Sequence, residues 1–126
     1  MKGRAILFSK FIHVNSFTRE DRHQMISRTN DVLSGCGAII IDFRMYSNMS
    51  ICILFELPAN SIKTLQKSLS ETGLVLFEES IETLAECASK LEELAVPRDV
   101  DIYGTLQITF LHNEPDLRRE IPPFEL

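Results

Sequence analysis

Three histidines and three cysteines are the side chains of this chain that best suit metal binding or nucleophilic chemistry. They are His13, His23, His112, Cys36, Cys52 and Cys87. No Cys-x-x-Cys pair occurs among them, and the histidines share no spacing with one another or with the cysteines. We therefore expect no metal and no cofactor, and we interpret Cys36 and Cys87 as core residues, because both fit apolar helix stripes.

Nucleophilic catalysis has little support in the sequence. A cysteine nucleophile needs a base within hydrogen-bond reach, and no local signature supplies one. His13 and His112 fall in predicted strands that could be neighbours. A small enzyme that uses Cys52 or the histidines in a pocket completed by a dimer therefore remains an alternative, but we expect no enzyme activity.

Composition limits the partners and the compartment. The chain has 126 residues and a net charge of -5, and the lack of a positive surface argues against general binding to nucleic acid or anionic membranes. No segment approaches the roughly 18 apolar residues of a membrane helix. Ser9 and Lys10 interrupt the apolar start that a signal peptide would need. The odd, widely spaced cysteines suggest no disulfide framework, so we expect a cytoplasmic protein.

Hydrophobic periodicity predicts the elements that must position these residues. The predicted strands are Ala5–Val14, two arms of Ala38–Pro58 around a turn at Ser47 and Asn48, Leu74–Glu79 and Val100–His112. A polar connection follows the first strand, and Thr18 with Asp21 resembles a capping box for the first helix. The second helix carries the stripe Ile62, Leu65 and Leu69, and the third spans Ser80–Val96, with Ile81, Leu84, Ala85, Ala88, Leu91 and Ala95 facing inward.

This order predicts an α+β, ferredoxin-like fold. Its βαββαβ part would form a four-stranded antiparallel sheet with both helices on one face, and a further C-terminal helix and strand would follow. We assign residues 1–112 to this single domain. Residues 113–126 carry three prolines and many charges, which predicts an irregular C-terminal tail.

The hairpin Ala38–Pro58 raises the question of what covers its second face. One face carries Ile39, Ile41, Phe43, Met45, Ile51, Ile53, Phe55 and Leu57, and we predict that it forms the core. The other face is half apolar, through Ile40, Cys52 and Leu54, and Leu7 and Phe11 of the first strand would join it. A monomer rarely exposes so large an apolar patch, so we expect a second copy of the chain to cover it. Coverage by the chain's own extra helix and strand is the competing explanation.

The segment Asp21–Glu79 resembles an ACT domain, especially the ACT-like modules of some phosphoserine phosphatases and glycine-cleavage regulators. Asp21-Arg22 stands where that family often has Asp-Arg-Pro-Gly, and CGAIIIDFRM and SICILFELP resemble its second and third strands. LSETGLVLFEE resembles the end of its second helix and its fourth strand. The family's Pro-Gly is replaced here by His23-Gln24, and the preceding loop is longer.

The resemblance implies a non-catalytic regulatory domain that binds an amino acid or a similar small metabolite and acts as a homodimer. Carried over by position, the ligand-binding candidates are Asn15, Ser16, Asp21, Arg22, His23, Gln24 and Asp42. Backbone N–H groups at a helix start attract a carboxylate, and carboxylate or amide side chains can bind an ammonium group. The alternative from another class is a protein-interaction or assembly module without a ligand.

Overall fold

The computed structural model describes residues 11–47, 49–94 and 100–111. The described residues form an α+β fold with five strands and three α-helices, which confirms the predicted class. In chain order they are β1 (Phe11–Thr18), α1 (Arg22–Gly35), β2 (Ile39–Ser47), β3 (Ser50–Pro58), α2 (Ile62–Ser70), β4 (Val75–Leu76), α3 (Glu78–Leu94) and β5 (Asp101–Phe110). A short 3-10 turn, Ala59–Ser61, precedes α2. The predicted tail, 113–126, lies outside the described residues.

The sheet is mixed, with the strand order β2-β3-β5-β1-β4. The C-terminal strand β5 lies in the middle, parallel to β1 and antiparallel to β3. The predicted ferredoxin-like antiparallel sheet is therefore not confirmed, because β5 enters the sheet between β3 and β1. Pairing of distant strands depends on tertiary packing, which periodicity within one strand does not encode.

β1 extends further along the chain than predicted. Asn15 to Thr18 were expected in a polar connection, but they continue the strand and pair with β5. Ser16 and Thr18 are buried and still satisfy their hydroxyls: Ser16 Oγ donates to the carbonyl of Gln107 over 2.9 Å, and Thr18 Oγ1 donates to that of Gly73 over 3.1 Å. Hydrogen-bonded hydroxyls can therefore occupy core positions of a strand. The predicted residues 5–10 of this strand lie outside the described ranges.

α1 begins at a different cap from the predicted one. The Asp21 side chain accepts a hydrogen bond from the Gln24 N–H over 3.0 Å, as an N-cap does. Thr18 Oγ1 accepts instead from the N–H of Glu20 over 3.1 Å, so it orders the turn before the helix. After α1 the chain turns at Gly37, whose φ of 84° suits glycine.

The helices bury one face of the sheet. The predicted stripe Ile62, Leu65 and Leu69 of α2 is buried, as are the predicted core residues of β3. They are Ile51, Ile53, Phe55 and Leu57. The core also includes Ile12, Val14, Met25, Leu33, Leu84, Ile102, Leu106, Ile108 and Phe110.

α3 starts earlier and is rotated relative to the prediction. The predicted strand Leu74–Glu79 is reduced to β4, because α3 begins at Glu78 and the N–H groups of Ser80 and Ile81 donate to the Phe77 carbonyl over 2.9 and 3.0 Å. The Phe77 N–H is the last to bond to β1, donating to the Asn15 carbonyl over 3.0 Å. Ser80 Oγ then accepts from the Asn15 N–H over 2.7 Å. α3 buries Ser80, Leu84, Cys87, Ala88 and Leu91. Ile81 and Ala85, predicted to face inward, are exposed, and Ala95 lies outside the described ranges.

Candidate functional site

The predicted ligand residues of the β1–α1 region lie close in the chain but face different surroundings. Asn15 is exposed on the sheet face that the helices leave open, whereas Ser16 is buried on the helix-covered face. Asp21 caps α1, and Arg22, His23 and Gln24 form its first turn. Successive strand residues point to opposite faces, so Asn15 and Ser16 do not direct their side chains at one ligand.

Asp42, the remaining predicted ligand residue, lies apart from these. It belongs to the edge strand β2, which is separated from β1 by β3 and β5. Three strand spacings correspond to about 14 Å across the sheet. Its carboxylate instead accepts from Arg44 Nε and from the Phe43 N–H, each over 2.9 Å. One chain does not bring Asp42 together with Asn15.

A depression of about 270 Å³ lies on the open face where β1, β5 and the start of α3 meet. Its lining residues are Asn15, Ser16, Phe77, Gln107 and Thr109. Phe77 makes an edge-on contact with Phe17, with ring centroids 6.1 Å apart, and Gln107 Nε2 donates to Ser50 Oγ over 3.2 Å. Amides and a hydroxyl beside an aromatic wall suit a small polar molecule, since they can both donate and accept hydrogen bonds.

A larger open groove, of about 600 Å³, runs between α2 and α3. Its walls are mostly polar and charged, and an ion pair between Lys63 and Glu92 joins the two helices across it. Both charges are solvent-exposed and satisfied by each other. The groove is consistent with a solvated helix–helix junction.

The three thiols are poorly placed for nucleophilic chemistry. Burial raises the pKa of the Cys36, Cys52 and Cys87 thiols above the ordinary value. The protonated thiol therefore dominates at neutral pH, and it is a weak nucleophile. His13 lies on the open face with Nδ1 2.9 Å from Thr105 Oγ1, and its predicted neighbour His112 lies outside the described residues.

Residues 11–47, 49–94 and 100–111 contain no group of three or more His, Cys, Asp or Glu side chains arranged to bind a metal. No helix in the same ranges is long and apolar enough to span a bilayer.

The most unusual surface is the edge strand β2. It lies at one end of the sheet, with β3 as its neighbour on the inner side. Six of its nine residues are exposed large hydrophobics: Ile39, Ile40, Ile41, Phe43, Met45 and Tyr46. Exposure reaches 63% for Ile39 and Tyr46 and 55% for Met45. The prediction that Ile39, Ile41, Phe43 and Met45 form the core is therefore wrong.

Register shifts in β2 explain part of the difference between the predicted and the observed faces of this strand. Ile40 is opposite Phe55 and Asp42 is opposite Leu54, so Ile41 is an extra residue between them. A bulge of this kind reverses the alternation of faces. Ile39 consequently lies opposite Glu56 on the open face, and Ile40, predicted for the open face, lies on the helix side. A second shift falls between Met45 and Ser47.

The open face of the sheet is mixed in character. Phe11, Val75 and Tyr103 are exposed there, and Cys52 and Leu54 are half-buried. Threonine, glutamine and asparagine side chains of β1 and β5 separate these apolar residues. Neither α3 nor any other described helix covers this face, and the predicted contributor Leu7 lies outside the described residues. The apolar surface is more continuous along β2 than across the open face.

Sequence reasoning missed β2 as an interaction surface, although a signal was present. The run Ala38–Ile41 is apolar at every position, so it marks no preferred face. A continuous apolar run predicts a strand buried in the core, but an edge strand that binds a partner strand can show the same pattern.

Comparison with protein-family models, curated proteins and solved structures finds no match to this chain.

Proposed function

We propose that this chain is a non-catalytic assembly module that pairs the outer edge of β2 with another polypeptide strand. The exposed apolar side chains of β2 carry this proposal. An edge strand presents backbone N–H and C=O groups to a partner, and apolar side chains on both faces add burial when that partner binds. The raised thiol pKa values of the three cysteines support the absence of nucleophilic catalysis.

The test compares two lysine substitutions of equally exposed aromatic residues. Phe43 in β2 and Tyr103 on the open face are both 39% exposed. Phe43→Lys should abolish self-association in sedimentation experiments, and also capture of any identified partner from cell extract. Tyr103→Lys should leave both unchanged. The assembly proposal fails if the two folded variants behave alike, and circular dichroism with thermal unfolding verifies that each is folded.

A second candidate function is regulation by a small polar metabolite such as an amino acid. The depression lined by Asn15, Gln107, Thr109 and Phe77 favours it. In this function a homodimer would transmit the presence of the ligand, as the resemblance to ACT domains implies. The depression does not include the candidates at the start of α1, which are Asp21, Arg22, His23 and Gln24. These residues would contact the ligand only if the ligand, or a second subunit, extended to them.

Thermal unfolding against the twenty common amino acids tests this second candidate. A ligand that binds only the folded chain must raise the midpoint in a dose-dependent manner. Asn15→Ala should remove that rise, whereas His13→Ala, on the same strand and the same face, should preserve it. No rise with any amino acid would leave the assembly function as the better account.

A further inference from the structure

The two charged residues of β2 are arranged in a self-complementary way. Asp42 and Arg44 lie opposite Leu54 and Cys52 of β3, so both project on the open face. Their side chains form an ion pair of 2.9 Å, in which Arg44 is 70% and Asp42 44% exposed. Phe43, between them, lies opposite Ile53 and projects on the helix side. The strand therefore offers one negative and one positive side chain, two residues apart, to anything that pairs with its outer edge.

Two copies of β2 that pair antiparallel around a two-fold axis must place side chains of the same face opposite each other. In the regular part of the strand the axis must then pass through a residue. An axis through Phe43 puts Asp42 opposite the partner's Arg44, and Arg44 opposite the partner's Asp42. The two phenylalanine rings meet at the centre, where cross-strand aromatic pairs stabilise a sheet.

Neighbouring registers lack this complementarity. An axis through Asp42 would oppose two carboxylates, and an axis through Arg44 would oppose two guanidinium groups. Like charges directly opposite each other destabilise strand pairing. The register shifts at Ile40/Asp42 and Met45/Ser47 confine regular pairing to the segment that contains Phe43. Charge and strand geometry thus select the same axis.

We infer that the polypeptide which pairs with β2 is a second copy of this chain, antiparallel and centred on Phe43; this inference rests on the proposed assembly function. The two five-stranded sheets would join into one continuous sheet, with both helical layers on the same side. Ile41 and Met45 of each copy would flank the central pair and lose their exposure to water. This dimer leaves the depression at Asn15 and Gln107 accessible on both subunits.

Charge exchange at Asp42 and Arg44 tests the inference. In analytical ultracentrifugation at low salt, the wild-type chain should be a dimer at micromolar concentration. Asp42→Arg and Arg44→Asp should each weaken the dimer about tenfold or more, because both cross-strand pairs then carry like charges. The double exchange Asp42→Arg/Arg44→Asp should restore dimerisation. Mixing the two single variants should also produce a heterodimer.

The outcomes separate the inference of self-pairing from the proposed assembly function. A wild-type chain that is still monomeric at about 100 μM, where a dimer with a micromolar Kd would be largely assembled, overturns the inference. The inference is also overturned if neither single substitution weakens the dimer. It is overturned as well if the double exchange dimerises no more tightly than the single variants. A monomer that still captures an identified protein through Phe43 would refute self-pairing but support the assembly function. A monomer without such capture would refute both.

Discussion

Gly104 of β5 is the direct cross-strand neighbour of Phe55 of β3. A Cβ added to Gly104 would be 2.8 Å from Phe55 Cζ and 2.8 Å from Ile12 Cγ1. Both distances are too short for real carbon contacts, and the backbone carbonyl of Ile12 is only 3.0 Å away. The absence of a side chain at this position lets the central strand pack between its two neighbours.

Gly104→Ala should therefore destabilise the fold. Overpacking of a tight core costs about 1–3 kcal/mol, which a shift of the urea midpoint would reveal. Gly35→Ala is the matched control, because nothing lies within 4 Å of its added Cβ. Gly35 ends α1, where alanine favours the helix, so this control should be neutral or slightly stabilising. Equal stability of the two variants would contradict the central position of β5.

The α1 cap gives a second prediction. Asp21→Ala should lower the free energy of unfolding by about 1 kcal/mol, because the Gln24 N–H loses its acceptor. Asp21→Asn should retain most of the stability, since asparagine also caps helices well. Asp31→Ala, an exposed change on the same helix, controls for the loss of a carboxylate. If Asp21→Ala were no worse than Asp31→Ala, the cap assignment would be wrong.

Glu56 and Asp101 give a pH-dependent prediction. The pKa of Glu56 is raised above 4.5, chiefly by its hydrogen bond with Asp101, then by burial and by the negative charge of that neighbour. The stability that the protonated Glu56 contributes is complete below its unfolded pKa, and it is lost as pH rises through the raised folded value. Glu56→Gln keeps a neutral donor at every pH. Its thermal midpoint should exceed that of wild type at pH 7 and match it at pH 4.

The control for this change is Glu86→Gln, an exposed carboxylate in the middle of α3, away from the charged ends of the helix dipole. It should show no comparable gain at pH 7. A Glu56→Gln variant with the same difference from wild type at both pH values would show that the carboxyl pair does not form.

Thiol reactivity gives a fourth prediction. All three cysteines should react slowly with an alkylating reagent in the native protein, because burial raises their pKa values. Cys52, which is half-buried, should be the fastest, and Cys36 and Cys87 should react fully only after denaturation. Mass spectrometry of each labelled peptide measures the rates. Rapid and selective labelling of Cys52 at neutral pH would support the enzyme alternative.

The parts of the fold that the sequence predicted well are those with a clean period. The alternation Ile51–Leu57 and the α2 stripe Ile62, Leu65 and Leu69 each separate an apolar face from a polar one. Both elements are buried as predicted, because one register alone hides their apolar residues.

The features that the sequence did not predict have a different cause. β2 carries apolar residues on both faces, so its pattern marked neither the bulge at Ile41 nor the exposed edge. β5 alternates well and was predicted as a strand, but alternation does not reveal that β1 and β3 will flank it. The proximity of Asn15 to Gln107 follows from that pairing, so the depression on the open face could not be predicted either.

Residue-resolved amide hydrogen exchange of β2 tests the central claim most directly. In a strand paired on both sides, the amides of Asp42 to Met45 that point away from β3 are protected by the partner. We predict slow exchange for these amides in the wild-type chain and fast exchange in folded Asp42→Arg. Fast exchange of the outward amides in both proteins would contradict self-pairing through β2.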